Sequence, residues 1–191
     1  MSAYDIVAIG ASWGGLHAVG TVLAGLDPSF GAAVVVAQHR DGHDDQGLLP
    51  ELLGRRTPLP VAEGEDKGAL APGRVVIAPA GYHLLVEERS VELSCEDPVQ
   101  FSRPSIDVLF VSVAEEFGPR AVGVVLTGAN ADGARGLAEI GRRGGHTVVQ
   151  DPATAERAEM PRAALEAVAP DAVLALDEIA PYLVRLCAEA A

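Results

Sequence analysis

DIVAIGASWGG, Asp5 to Gly15, sets four apolar residues, Ile6 to Ile9, ahead of a serine held among glycines. A short, largely β-branched apolar run suits a strand buried on both faces of a parallel sheet. Gly10, Gly14 and Gly15 mark a tight turn. Beyond it, apolar or small residues recur at Leu16, Val19, Gly20, Leu23 and Ala24, the spacing of a helix packed on that sheet. Ser12 therefore lies between a strand end and a helix start. A phosphate cradle and an exposed nucleophile both use such a turn. The dinucleotide pattern G-x-G-x-x-G fails because Ser12 occupies its second glycine, whereas Gly10 to Gly14 reads G-x-S-x-G.

Outward from this stretch the same grammar repeats. Ala32 to Gln38 is a second nearly continuous apolar run and leads into His39; Val122 to Leu126 is a third and leads into the glycine-containing turn Thr127 to Gly133. Shorter strands are expected at Arg74 to Ala78, His146 to Gln150 and Ala172 to Leu176, with an extended piece at Pro58 to Val61. Tyr82 to Val86 and Ser90 to Leu93 read as an antiparallel hairpin around Glu87 to Arg89. Helices are expected at Leu48 to Leu53, Ser105 to Glu116 with Ser105 as N-cap, Gly133 to Arg142, Pro161 to Ala167 and Asp177 to Ala188. Strands alternating with helices predict an α/β fold: a doubly wound, mostly parallel sheet with helices on both faces and the hairpin at one edge. The length of 191 residues fits a single domain spanning 1–191.

Composition excludes several functions. With 14 basic against 27 acidic side chains the formal net charge is -13, which argues against a nucleic-acid partner and against an anionic membrane surface. Cys95 and Cys187 stand far apart without C-x-x-C spacing, so neither zinc nor a disulfide framework is indicated. No stretch reaches membrane-span length and no secretory leader is evident, so a cytoplasmic location is expected.

The carboxyl ends of parallel strands form the ligand-binding edge of such a sheet. Three strong strands here run into Ser12, His39 and the loop holding Asp132. Those are the residue types of a nucleophilic triad, in which an imidazole takes the hydroxyl proton and a carboxylate fixes the imidazole tautomer. The plain readings are a helix N-cap for Ser12, a backbone-bonded loop histidine for His39, and an N-cap for the following helix at Asp132. Arg40, Arg103 and Arg162 are candidates to hold an acidic substrate segment or to pair with surface carboxylates. Asp41, His43, Asp44 and Asp45 have metal-ligand chemistry but read as a solvated loop, so no metal is expected. His17, His83 and His146 read as structural.

IGASWGG (9–15), AQHR (37–40), APAGYHLLV (78–86), RPSIDVLFVSVA (103–114), VGVVLTGANADGARGL (122–137) and QDPATAERAEMPRAAL (150–165) occur in one order and spacing. In these segments the chain resembles the catalytic domain of the chemotaxis protein-glutamate methylesterase (CheB-type) family along nearly its whole length. The resemblance implies a hydrolase of glutamate methyl esters on chemoreceptors, with glutamine deamidation as a second activity and no cofactor. It places the nucleophile at Ser12, the base at His39 and the orienting acid at Asp132, and it makes the backbone N–H groups around Trp13 and Ala129 the candidates for the oxyanion site. Implied partners are a methylated chemoreceptor and, in trans, a receiver domain or a methyltransferase. Trp13 replaces a usual threonine, and Ala129 and Asn130 replace a usual methionine and glycine; Asn130 suits a left-handed turn position. A rival reading is a non-catalytic binding module whose old pocket Trp13 fills. The chain begins at the first strand of the fold with no room for the receiver domain common in the family, so regulation is supplied in trans or absent, or the chain is a piece of a longer protein.

Overall fold

The computed structural model of the chain describes residues 4–40 and 47–188. β1 (Ile6–Ala11) leads into α1 (Gly15–Ala24), β2 (Ala33–Gln38) and α2 (Leu48–Gly54). β3 (Val61–Glu63) and β4 (Val75–Ile77) follow, then the hairpin β5 (His83–Glu87) and β6 (Ser90–Ser94). The second half runs through α3 (Ile106–Phe117), a 3-10 turn (Gly118–Arg120), β7 (Ala121–Val125), α4 (Ala134–Arg142), β8 (His146–Gln150), α5 (Glu159–Ala167), β9 (Ala172–Leu174) and α6 (Leu176–Cys187).

Seven strands pair in parallel in the order β3-β4-β2-β1-β7-β8-β9, so the chain builds outward from β1 on one side and then returns to β1 on the other. Every residue of β1 and β2 is buried, which is why those segments read as unbroken apolar runs. Alternation still sorts their side chains. Val7, Ile9, Ala11, Val34 and Val36 join a core with α1 and α6, while Ile6, Ala8, Val35 and Ala37 join the opposite core with α3, α4 and the hairpin. The hairpin is a separate two-stranded sheet, turned through Glu88 and Arg89, both at positive φ. It lies on α3, where the Ser112 hydroxyl accepts the Val86 N–H at 3.0 Å, and Gly64 beyond β3 packs against its Leu84 and Val91.

The helix and strand boundaries expected from sequence shift by one or two residues, each for a local reason. α5 starts at Glu159, ahead of Pro161, because a proline in a first helical turn gives up no intrahelical bond. β9 stops at Leu174 because the Glu178 carboxylate accepts the Ala175 N–H at 3.0 Å and starts α6 there.

Candidate active site

β1 and β2 are in register from Ile6↔Ala33 to Ala11↔Gln38, and the His39 N–H continues the ladder to the Ala11 carbonyl at 2.9 Å. Ser12 and His39 are thus the next positions on adjacent strands. By the alternation of both strands they fall on the face that carries α3 and α4. That face is open to a close approach at Gly10, where an added Cβ would lie 2.2 Å from the Ile106 Cγ2. The missing side chain lets the first residue of α3 sit against β1 beside the strand ends.

The N-terminus of α3 in turn holds the acid. Asp132, 0% exposed, accepts the N–H of Ile106 at 2.7 Å, the N–H of Asp107 at 2.9 Å and the Ser105 hydroxyl at 2.9 Å. Its Oδ2 also lies 2.7 Å from His39 Nε2. Burial alone would raise its pKa; the hydrogen bonds from His39, Asp107 and Ile106 outweigh that and hold the carboxyl below its ordinary range. An ionised Asp132 fixes the proton of His39 on Nε2 and leaves Nδ1 as the basic nitrogen. The plain readings fail at all three positions. Gly14, at φ 78, caps α1 without Ser12, and Gly133, at φ 97, caps α4 without the Asp132 side chain. His39 bonds a carboxylate.

The pairing of His39 with Asp132 is made in full, whereas Ser12 is brought alongside without a hydrogen bond from its hydroxyl to His39. The oxygen within reach of His39 Nδ1 is the Ser102 Oγ, at 3.4 Å. Ser12 is instead fixed through its backbone: its N–H donates to the Thr127 carbonyl at 2.9 Å and its carbonyl accepts the Gln38 Nε2 at 2.8 Å. The first bond ties the Ser12 turn to the Thr127 turn, and the Thr127 hydroxyl adds a bond to the Trp13 carbonyl at 2.9 Å. Among the described residues, the N–H groups of Trp13 and Ala129 on these two turns make no hydrogen bond. Asn130 is not left-handed, contrary to expectation; its side-chain oxygen accepts the Asp132 N–H at 3.1 Å and shapes the turn in that way.

Trp13 does not fill the site. It is 58% exposed, its Nε1 donates to Glu156 Oε1 at 2.9 Å, and the Arg157 guanidinium lies 5.4 Å from its ring centroid. Glu156 and Arg157 follow β8, on the side of β1 away from His39, so the indole is drawn off the Ser12–His39 side. Gln38, Ser102 and Asp107 were not singled out from sequence. Gln38 lies directly beneath Gly15, whose added Cβ would be 2.0 Å from Gln38 Oε1. His83 is structural as expected: it is buried, accepts the Ser105 N–H at Nδ1 and pairs with the Asp97 carbonyl. Arg162 is exposed on α5, and Asp41, His43, Asp44 and Asp45 lie outside the described residues.

Comparison with known proteins adds an independent line. The family model described as CheB methylesterase matches residues 7–183. A provisionally named protein-glutamate methylesterase/protein-glutamine glutaminase of Leptospira interrogans is 44% identical over 184 residues, 96% of this chain and 95% of that one. The protein-glutamate methylesterase FrzG of Myxococcus xanthus is 44% identical over 95% of this chain, which spans 54% of FrzG. The crystal structure of the Thermotoga maritima CheB methylesterase catalytic domain superposes with a TM-score of 0.90 at 30% identity, covering 96% of this chain and 98% of that domain.

Proposed function

Because the chain belongs to the CheB methylesterase family, we propose that it is a serine carboxyl-methylesterase that hydrolyses glutamate methyl esters on a chemoreceptor-like protein in the cytoplasm. The observation that carries the reading is the 2.7 Å contact of His39 Nε2 with a buried, ionised Asp132 at the strand end next to Ser12.

In this mechanism the Ser12 oxygen attacks the ester carbonyl as His39 Nδ1 takes the hydroxyl proton. The oxyanion of the tetrahedral intermediate accepts the N–H groups of Trp13 and Ala129, which have no partner among the described residues; losing one such donor costs about 100- to 1000-fold in rate. Methanol leaves with the proton returned by His39. Water, deprotonated by the same nitrogen, then cleaves the acyl-serine to glutamate and restores the Ser12 hydroxyl. A glutamine amide follows the same route with ammonia as leaving group. Ser12 closes the remaining distance to Nδ1 on substrate binding, as catalytic contacts that are long in the empty enzyme commonly do. The exposed placement of Trp13 favours this reading over a binding module with a filled pocket.

The test is methanol release from a methyl-esterified chemoreceptor cytoplasmic fragment by the unaltered protein and by Ser12→Ala. Release that vanishes in Ser12→Ala supports the reading; release that persists removes Ser12 as nucleophile, and no release from either protein favours the binding module.

A further inference from the structure

Beside His39 lies a cleft of about 320 Å³ whose walls include Arg40, Ser102 and Arg103. In a chain of net charge -13, two guanidinium groups meet here with donors unused. Arg103 is held from one side only: its Nη1 donates to the carbonyls of Cys95 at 2.8 Å and Glu96 at 2.9 Å. Its Nε is buried without a partner, and among the described residues nothing accepts from its Nη2. Arg40 lies deeper, with a side chain 6% exposed. Its Nη2 donates to Glu63 Oε1 at 2.6 Å and to the Ala78 carbonyl at 2.9 Å, while its Nε and Nη1 are buried without partners among the described residues. Buried donors are rarely left unpaired, and each exception asks for a reason. Among the described residues Glu63 is the carboxylate paired with Arg40, and none is paired with Arg103.

We propose that this cleft is a substrate subsite for the carboxylate of an acidic residue flanking the esterified glutamate. Arg103 meets it through its Nη2, and Arg40 supplies buried positive charge behind. The inference rests on the esterase reading and extends it to selectivity: neutral flanks offer these guanidinium donors no carboxylate. A charge-assisted pair of this kind supports roughly a 10- to 100-fold preference.

Two synthetic peptides carrying one glutamate γ-methyl ester, flanked on both sides by glutamates or by glutamines, test the subsite. The unaltered protein is expected to favour the glutamate-flanked peptide about 10- to 100-fold in kcat/KM, mostly through KM. Arg103→Gln is expected to bring the ratio of the two peptides close to one, and Arg103→Lys, which keeps the charge and loses the planar guanidinium, to restore part of it. Equal turnover of the two peptides by the unaltered protein, or a ratio unchanged in Arg103→Gln, overturns the proposal. If neither peptide is hydrolysed, the esterase reading fails by itself. Calorimetric binding of both peptides to the Ser12→Ala protein still reads the cleft: tighter binding of the glutamate-flanked peptide, abolished by Arg103→Gln, supports the subsite, and equal binding overturns it.

Discussion

Asp107 and Asp132 each cap the helix that the other introduces. Asp132, just before α4, takes the N–H groups of Ile106 and Asp107 at the start of α3. Asp107, in the first turn of α3, takes those of Gly133 at 3.0 Å and Gly136 at 2.7 Å at the start of α4. The carboxylate that faces His39 is therefore one half of a brace between two helices, and the geometry of the site is tied to the stability of the fold.

Replacing Asp107 by alanine leaves two buried N–H groups without an acceptor, so a loss of about 2–4 kcal/mol is expected in urea unfolding. Asp107→Asn keeps an oxygen toward α4 and is expected to lose less than half of that. An alanine variant within about 0.5 kcal/mol of the unaltered protein would show that the brace contributes nothing.

The two carboxylates act in opposite directions with pH. Asp132 has a folded pKa below the unfolded value of about 3.9. Its stabilising contribution is complete above that value and is lost as pH falls through the folded pKa. Burial, with the nearby Asp132 charge adding to it, raises Asp107. Its contribution is complete below about 3.9 and is lost as pH rises through its folded pKa. Unfolding free energies measured from pH 2 to 7 are expected to show a shallower acid-side loss in Asp132→Asn and a flatter decline above about pH 4 in Asp107→Asn.

Ser102 Oγ lies 3.4 Å from the Nδ1 of His39. Ser102→Ala is nevertheless expected to retain methanol release within about fivefold, against a loss of about 1000-fold or more in Ser12→Ala. Equal losses would make Ser102 part of the proton path.

Trp13→Thr removes the Glu156 bond and the Arg157 contact, with an expected cost of about 0.5–1.5 kcal/mol. Because the indole is drawn away from His39, turnover is expected to change by no more than a few-fold. A tenfold rise would show that the indole obstructs the substrate.

Gly15→Ala drives a Cβ into the Gln38 amide, whose Nε2 holds the Ser12 carbonyl. Loss of about 1–3 kcal/mol is expected from overpacking, together with a fall in kcat larger than any change in KM, since the Ser12 turn shifts. An unchanged kcat would separate Gln38 from the placement of Ser12.

The strands were legible because burial on both faces leaves no polar residue to interrupt Ile6–Ile9, Ala32–Ala37 or Val122–Leu126, and each run then ends at a residue with chemistry. Other features depend on which elements become neighbours. Nothing in its own helix marks Asp107, whose role arises only when α3 and α4 pack together. Ser102 reaches His39 only because the turn Val99 to Ser102, closed by reciprocal backbone bonds of 3.1 and 2.9 Å, folds over the end of β2. The direction of Trp13 follows from Glu156 and Arg157, more than a hundred residues away along the chain. Asn130 suits a left-handed position by type, yet its side chain shapes the turn by hydrogen bonding instead.

Gly10 sets the terms on which this site can change. With Ile106 occupying the space where a side chain would stand, even a methyl group at residue 10 pushes α3 outward and carries Asp132 away from His39. Trp13 and the fully exposed Phe101, by contrast, present their rings to solvent on either side of the Ser12–His39 edge. Variation in what the enzyme accepts is therefore open at its rim, one substitution at a time, while the distance between imidazole and carboxylate is held by a residue that has nothing left to lose.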